Sequence, residues 1–375
     1  MFNILISLPY LLTGIFISVF VEYTNWFVLE KTNLSILVSV YVAFGYLFLS
    51  LFIIFLNKRI VIFSKKNVLV LFNIIAIFFI LIIHYSDASL TLLFLCYIFF
   101  IIYRYIEQSC RFSYYKNILK DSNKYNFANS LLEFNRQSIT LVAGILFIFF
   151  GAQFNLYLIG VLGGGILCIS LIMNLGLRKD ISVNKENHTN VDDTSQHTYK
   201  EIFLTFLLSI PYIINVTIVV SLPAYFNNLD NGQLYYLASL LPYGVGAIFG
   251  SFIYIKRVSS ITYLLILCFM FLVVSCLYPN VTNAYILQFL MALTNSSIRV
   301  YRNISIMNNY SKLSAQNIFN KVELICIVSI VSISILWGVI IDSISVYICW
   351  SIISLIYLCT ACITFISRKN FKNLI

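Results

Sequence analysis

Read along its length, the chain alternates long apolar runs with short polar breaks. Each run is about 20 residues, the length a helix needs to cross the hydrocarbon core of a bilayer. Twelve runs can be drawn, near 4–28, 34–56, 67–84, 90–111, 131–151 and 155–176, then 201–223, 234–254, 260–278, 284–303, 321–341 and 344–366. Backbone N–H and C=O groups find no partners in lipid, so each run is predicted to be a helix. The first, LISLPYLLTGIFISVFVEYTNWFVL, lacks a basic start and a small-residue cleavage site and reads as a retained helix. The one long polar break, RKDISVNKENHTNVDDTSQHTYK at 178–200, divides the runs six and six. The prediction is an all-α membrane protein: a bundle over 1–177, a linker over 178–200 and a second bundle over 201–375.

Composition fits that reading and excludes a soluble domain. Hydrophobic residues make up 61% of the chain and charged residues 10%, against about 45–50% and 25% in soluble proteins. The formal charge of +10 is dispersed between apolar runs, so no nucleic-acid-binding patch is indicated. The basic residues mark one side instead. Lys58, Arg59, Lys65 and Lys66 follow run two; Lys116, Lys120 and Lys124 follow run four; Arg178, Lys179, Lys185 and Lys200 follow run six. Lys256 and Arg257 follow run eight, Lys312 and Lys321 run ten, and Arg368, Lys369 and Lys372 form the tail, while the other side has Lys31 alone. By the positive-inside rule both termini are cytoplasmic. The Asn, Lys and Ile bias with short loops points to a bacterial plasma membrane, and the expected state is a monomer in the lipid bilayer.

Candidate catalytic and metal-binding chemistry is thin. The nine cysteines fall almost entirely in apolar runs with no CxxC pair or nearby His, so neither a disulfide framework nor zinc is indicated. His84 stands near a loop, and His188 and His197 lie in the linker without a partner cysteine, so no metal site is expected. No HExxH, GxSxG or phosphate-cradling glycine loop occurs. An enzyme, an ATP-driven pump and a bound cofactor are therefore not expected.

The two halves align without gaps at an offset of 188 residues, RFSYYKNILKDSNKYNFANSLLEF against RVYRNISIMNNYSKLSAQNIFNKV. Arg111 then meets Arg299, Lys124 meets Lys312 and Asn129 meets Asn317. Parallel halves related by an axis along the membrane normal are a transporter architecture. With six-plus-six runs, a cytoplasmic linker and cytoplasmic termini, the chain resembles the major facilitator superfamily over its whole length. RFSYYKNILKDSNKYNFANSLLEFNRQS, 111–138, is similar to the stretch from span four into span five of its drug, macrolide and siderophore exporters: an Arg ends the helix, a basic loop follows, and Ala128-Asn129 opens the next span. VEYTNWFVLEKTNLSILVSVYVAFGYL looks like the first two spans of that group. The loop NKRIVIFSKKN keeps only the basic part of the family pattern, and AGILFIFFGAQ lacks the proline of the antiporter signature. The resemblance implies two pseudo-symmetric six-helix bundles in the major facilitator fold, alternating access, and efflux coupled to protons. An importer, or a non-transporting sensor or scaffold of the same fold, stays open as an alternative.

Charged residues inside the runs are the candidate site. Arg104, Glu107 and Arg111 stand at i, i+3 and i+7 on one helical face. A charge at mid-bilayer costs about 2.5–3.5 kcal/mol on insertion scales, so these groups must face protein, water or one another. Either Arg104 pairs with Glu107 while Arg111 snorkels to the surface, or Arg104 lines a central cavity and meets substrate or a coupling acid. Glu22 has no basic residue within a turn; it either sits hydrated near the outer interface or carries the coupling proton, as the resemblance implies for acids of the first span. Glu133 with Arg136, Arg299 with Arg302, and Glu323 are expected to form an inner gate whose ion pairs make and break. Asp342 opens the last outer loop and is expected to be solvated. Arginines dominate these positions, and guanidinium groups hold carboxylates bidentately. The expected substrate is therefore anionic, a carboxylate metabolite or siderophore, while 33 Phe and 26 Tyr leave room for an amphipathic drug.

Overall fold

The computed structural model of the 375-residue chain describes residues 2–55, 64–85, 89–118, 122–150, 155–177, 199–253, 258–309 and 312–367. The linker residues 178–198, with His188 and His197, lie outside them, as do the side chains of His84 and Glu133. Within them the chain forms fourteen helices. Those of the first half are α1 Phe2–Thr32, α2 Ser35–Phe55, α3 Lys65–Tyr85, α4 Leu90–Ile118, α5 Ser122–Phe150 and α6 Leu156–Leu175. Those of the second are α7 Tyr199–Leu207, α8 Ile210–Asn227, α9 Gly232–Ala238, α10 Leu240–Phe252, α11 Val258–Leu277, α12 Val281–Asn309, α13 Lys312–Ser343 and α14 Val346–Ile366.

Fourteen helices satisfy twelve predicted runs because two runs are broken. Pro211 sits just inside α8 and Pro242 just inside α10, where a missing N–H costs nothing within the new helix but cannot continue the old one. The breaks fall at Ser209 and Ser239. Ten of the segments are long and apolar enough to cross a membrane by length and composition. The two predicted runs outside that set lie in α5 and α12, long helices whose polar residues crowd one end.

The contacts repeat from half to half. In the first, α1 packs on α4, α5 and α6, α4 on α2 and α3, and α3 on α6. In the second, α8 packs on α12, α13 and α14, α12 on α10 and α11, and α11 on α14. Between the halves, α2 crosses α13 and α5 crosses α10, again a related pair of contacts. The α5–α10 crossing is backbone on backbone: a Cβ at Gly144 would stand 2.7 Å from the Leu241 Cα, and one at Gly244 2.5 Å from the Leu141 Cα. Large apolar side chains such as Phe78, Phe149 and Ile172 point outward, as lipid-facing surface requires. Near the linker, Lys66 Nζ donates to the carbonyls of Leu175 (2.6 Å) and Leu177 (2.7 Å), satisfying orphan acceptors where α6 ends.

Candidate functional site

A cavity of about 580 Å³ lies between the halves, lined by both, within the range of small-molecule sites. Chain direction sets depth. α1 and α8 run away from the side that carries the linker, and α4 and α12 run back toward it. Late residues of α1 and early residues of α2 therefore lie at the far side, and late residues of α4 and α12 at the terminus side.

The halves meet at the far side of the cavity. The Tyr236 hydroxyl of α9 donates to Glu22 Oε2 of α1 at 2.5 Å. The Tyr236 ring stacks on Trp26, one turn beyond Glu22, with centroids 5.7 Å apart. Farther out, Asp342 at the end of α13 accepts the N–H groups of Ser35 and Ile36, each at 2.8 Å, in the first turn of α2. Asp342 is thus tied across the halves, not simply solvated as the sequence suggests. Its carboxylate meets two of the unpartnered N–H groups and the positive end of a helix. Nothing in a one-residue reading could show this, because its partners are backbone atoms some 300 positions away. At the terminus side the lining continues through Gln108 and Ser109 of α4 to Arg299 of α12 and Glu323 of α13.

The sequence-selected residues divide into three groups. Glu22, Arg104, Arg136, Arg299 and Glu323 line the cavity. Arg104 lies within electrostatic reach of Glu22 and Tyr46, yet no hydrogen bond or ion pair joins it to any described residue. A second group is enclosed in the first bundle. Glu107 does not pair with Arg104. Its Oε1 accepts from Arg111 Nη2 at 2.7 Å and Nε at 3.2 Å, and its Oε2 accepts from the Thr13 hydroxyl. Arg111 is fully buried and also donates to Asn174 Oδ1 at 3.0 Å, so it does not snorkel. Ser170 Oγ in turn accepts from Asn174 Nδ2 (3.5 Å) and from Asn73 Nδ2 (3.1 Å), and Asn73 Oδ1 accepts from the Tyr103 hydroxyl. Neither Glu107 nor Arg111 lines the cavity. Third, Arg302 lies beside the α7–α8 break, where its Nη1 donates to Ser209 Oγ at 2.5 Å, and the Glu133 side chain lies outside the described residues.

Arg111 and Arg299, which coincide at the 188-residue offset, therefore have unlike surroundings: one sits inside its bundle, the other on the cavity wall. The sequence reading also passed over the neutral polar lining, notably Tyr236, Asn215, Gln288 and Asn295. For the last three the signal was present as amides in apolar runs, with Gln288, Asn295 and Arg299 at spacings of seven and four on one face of α12.

These features define a polytopic membrane protein of two related helix bundles around one central cavity. The fold is the major facilitator fold. No family model matches the sequence, and neither does any curated protein. Solved structures do. A POT family transporter in complex with 5-aminolevulinic acid superposes with a TM-score of 0.73 at 13% identity, over 98% of this chain and 96% of that one. The nucleoside transporter NupG, crystallised as a point mutant, gives 0.69 at 11% identity, over 96% and 98%. A bacterial homologue of the human lysosomal transporter Spinster, inward-facing and occupied, gives 0.66 at 12% identity, over 99% and 97%.

Proposed function

We propose that the protein is a secondary transporter that moves a small anionic organic molecule across the plasma membrane by alternating access. The observation that carries this is Arg104, a guanidinium on the wall of a central cavity with no described partner. Arg104 is half-buried and within electrostatic reach of Glu22, but no carboxylate bonds its planar face, and a carboxylate ligand supplies that bidentate partner. The fold is shared with proteins named as transporters. In this reading the domains are 1–177 and 201–375 joined by a cytoplasmic linker, the basic loops face the cytoplasm, and the state described is inward-facing, closed on the outside. The likeness of residues 111–138 to exporters supports efflux.

Glu22 is assigned the coupling proton. As a carboxylate it receives a charge-assisted bond from Tyr236 across the halves; once protonated, that bond falls to a neutral one of roughly half the strength. Protonation thus loosens one contact that holds the outside shut. The cavity-lining Arg136, Arg299 and Glu323 form the inner gate in this scheme.

Purified protein in proteoliposomes tests the reading with matched anionic and cationic compounds. Anions should be preferred, and Arg104→Gln should slow their transport by roughly 10–100-fold, the loss of a charge-assisted bond of about 1.5–3 kcal/mol. Glu22→Gln should remove the response to an imposed pH gradient. A preference for lipophilic cations, or normal pH-dependent transport in both variants, would end the proposal.

A further inference from the structure

The charged groups of the cavity are unevenly shared between its walls. Away from the terminus side, Glu22 and Arg104 belong to the first half, whereas the second half presents the amides Asn215, Gln288 and Asn295. Its charges, Arg299 and Glu323, stand only toward the terminus side. Two of these amides are under-bonded. Asn215 Nδ2 donates to the Met291 carbonyl at 3.3 Å and toward the Tyr243 hydroxyl at 3.4 Å, which fixes the orientation of the amide and leaves its Oδ1 buried with no partner. Gln288 Nε2 is likewise buried without a partner. Both side chains are more than nine-tenths buried. One wall therefore holds an acceptor and a donor that lack partners.

A buried amide left unbonded destabilises the protein unless something else bonds it. An apolar ligand would seal that deficit in; a ligand with hydroxyl, amide or ring N–H groups would relieve it. We infer that the substrate is an anion with a hydrogen-bonding body, a polyhydroxylated or heterocyclic acid, and not a lipophilic anion. Its carboxylate sits on Arg104, and its body bridges to Asn215 and Gln288 of the other half. This rests on the transporter reading above and adds the substrate class. It also gives the ligand grips on both bundles at once. A site built to hydrogen-bond rejects an analogue lacking those groups far more strongly than an apolar pocket rejects an added hydroxyl.

The test is calorimetric binding to the full chain in lipid nanodiscs, using two pairs matched in charge and framework, a six-carbon chain and a six-membered ring: gluconate with hexanoate, and orotate with benzoate. At least one polar member should bind tenfold or more tightly than its apolar counterpart. Asn215→Leu with Gln288→Leu should erase that preference, weakening the polar members while hexanoate and benzoate bind at least as tightly as before; a thermal unfolding transition like that of the wild type is the control for folding. Arg104→Gln should weaken every anion that binds. If the polar members bind no tighter than the apolar ones, or the leucine variant keeps the preference, the substrate class is wrong while the anion reading stands. If Arg104→Gln leaves all affinities unchanged, the anion reading itself fails, and this inference with it.

Discussion

Arg111→Ala is expected to lower folding stability by about 3–5 kcal/mol, the loss seen when one member of a buried ion pair is removed and its partner stays charged. The pair is enclosed to an unusual degree, with Arg111 and Glu107 side chains 0% and 1% exposed. Around it a bonded chain joins four helices: Thr13 on α1, Asn73 on α3, Tyr103, Glu107 and Arg111 on α4, and Ser170 and Asn174 on α6. Truncating Arg111 leaves Glu107 with the Thr13 hydroxyl alone and Asn174 Oδ1 with no donor. Replacing both charges, Glu107→Leu with Arg111→Met, should restore at least half of the loss, because the desolvation cost of the two ions goes with them. Thermal unfolding in a lipid–detergent mixture measures both variants. A single variant as stable as wild type would mean that the pair is not closed to water. Ligand affinity should be unchanged in the folded fraction, since neither residue lines the cavity.

That separation of Arg111 from Arg104 marks the limit of what the chain declared in advance. Hydropathy gave the spans, because a bilayer imposes one length and one backbone solution on every crossing. It misjudged helix ends: α4 runs to Ile118 and α12 to Asn309, beyond the predicted 111 and 303, since a helix need not stop where lipid does. The breaks at Ser209 and Ser239 were legible in Pro211 and Pro242, but an unbroken apolar run conceals them. For the site, periodicity assigned a face and could go no further. Arg104 and Arg111 are seven residues apart, so they point within about 20° of each other and differ in depth by about 10 Å. Around Glu107 and Arg111, α1 and α6 bring Thr13 and Asn174 into contact, whereas at Arg104 the cavity opens. What stands opposite a residue at its own depth is tertiary information. The same holds for Asp342, whose partners are backbone N–H groups that carry no residue-type signal at all.

Asp342→Ala is expected to shift the protein toward the state open at the far side by roughly 5–30-fold, about 1–2 kcal/mol. Two bonds of 2.8 Å to the Ser35 and Ile36 N–H groups are lost with the favourable placement of a negative charge at a helix N-terminus. The figure is held to the lower part of the range for charged hydrogen bonds because Asp342 is exposed and water can bond the freed N–H groups. Asp342→Asn, which keeps one carbonyl acceptor, should fall between alanine and wild type. Gly338 lies one turn earlier on the same face of α13, where a Cβ would come within 2.8 Å of the Ile36 Cα. Gly338→Leu should therefore hold α13 off α2 even with the carboxylate present, and the two substitutions together should add little to the glycine change alone. Paramagnetic labels on the exposed Leu34 and Ile344, in a background without native cysteines, report the separation of the two halves at this end. The longer-distance population should grow in the order wild type, Asp342→Asn, Asp342→Ala, Gly338→Leu. Identical distance distributions in wild type and Asp342→Ala would show that the carboxylate merely caps α2 and does not help to hold the halves together. Because Asp342 does not line the cavity, its variants alter how often the far side opens without altering what the cavity recognises. Substitutions at Glu22 and Tyr236, which sit at the cavity wall, would change both.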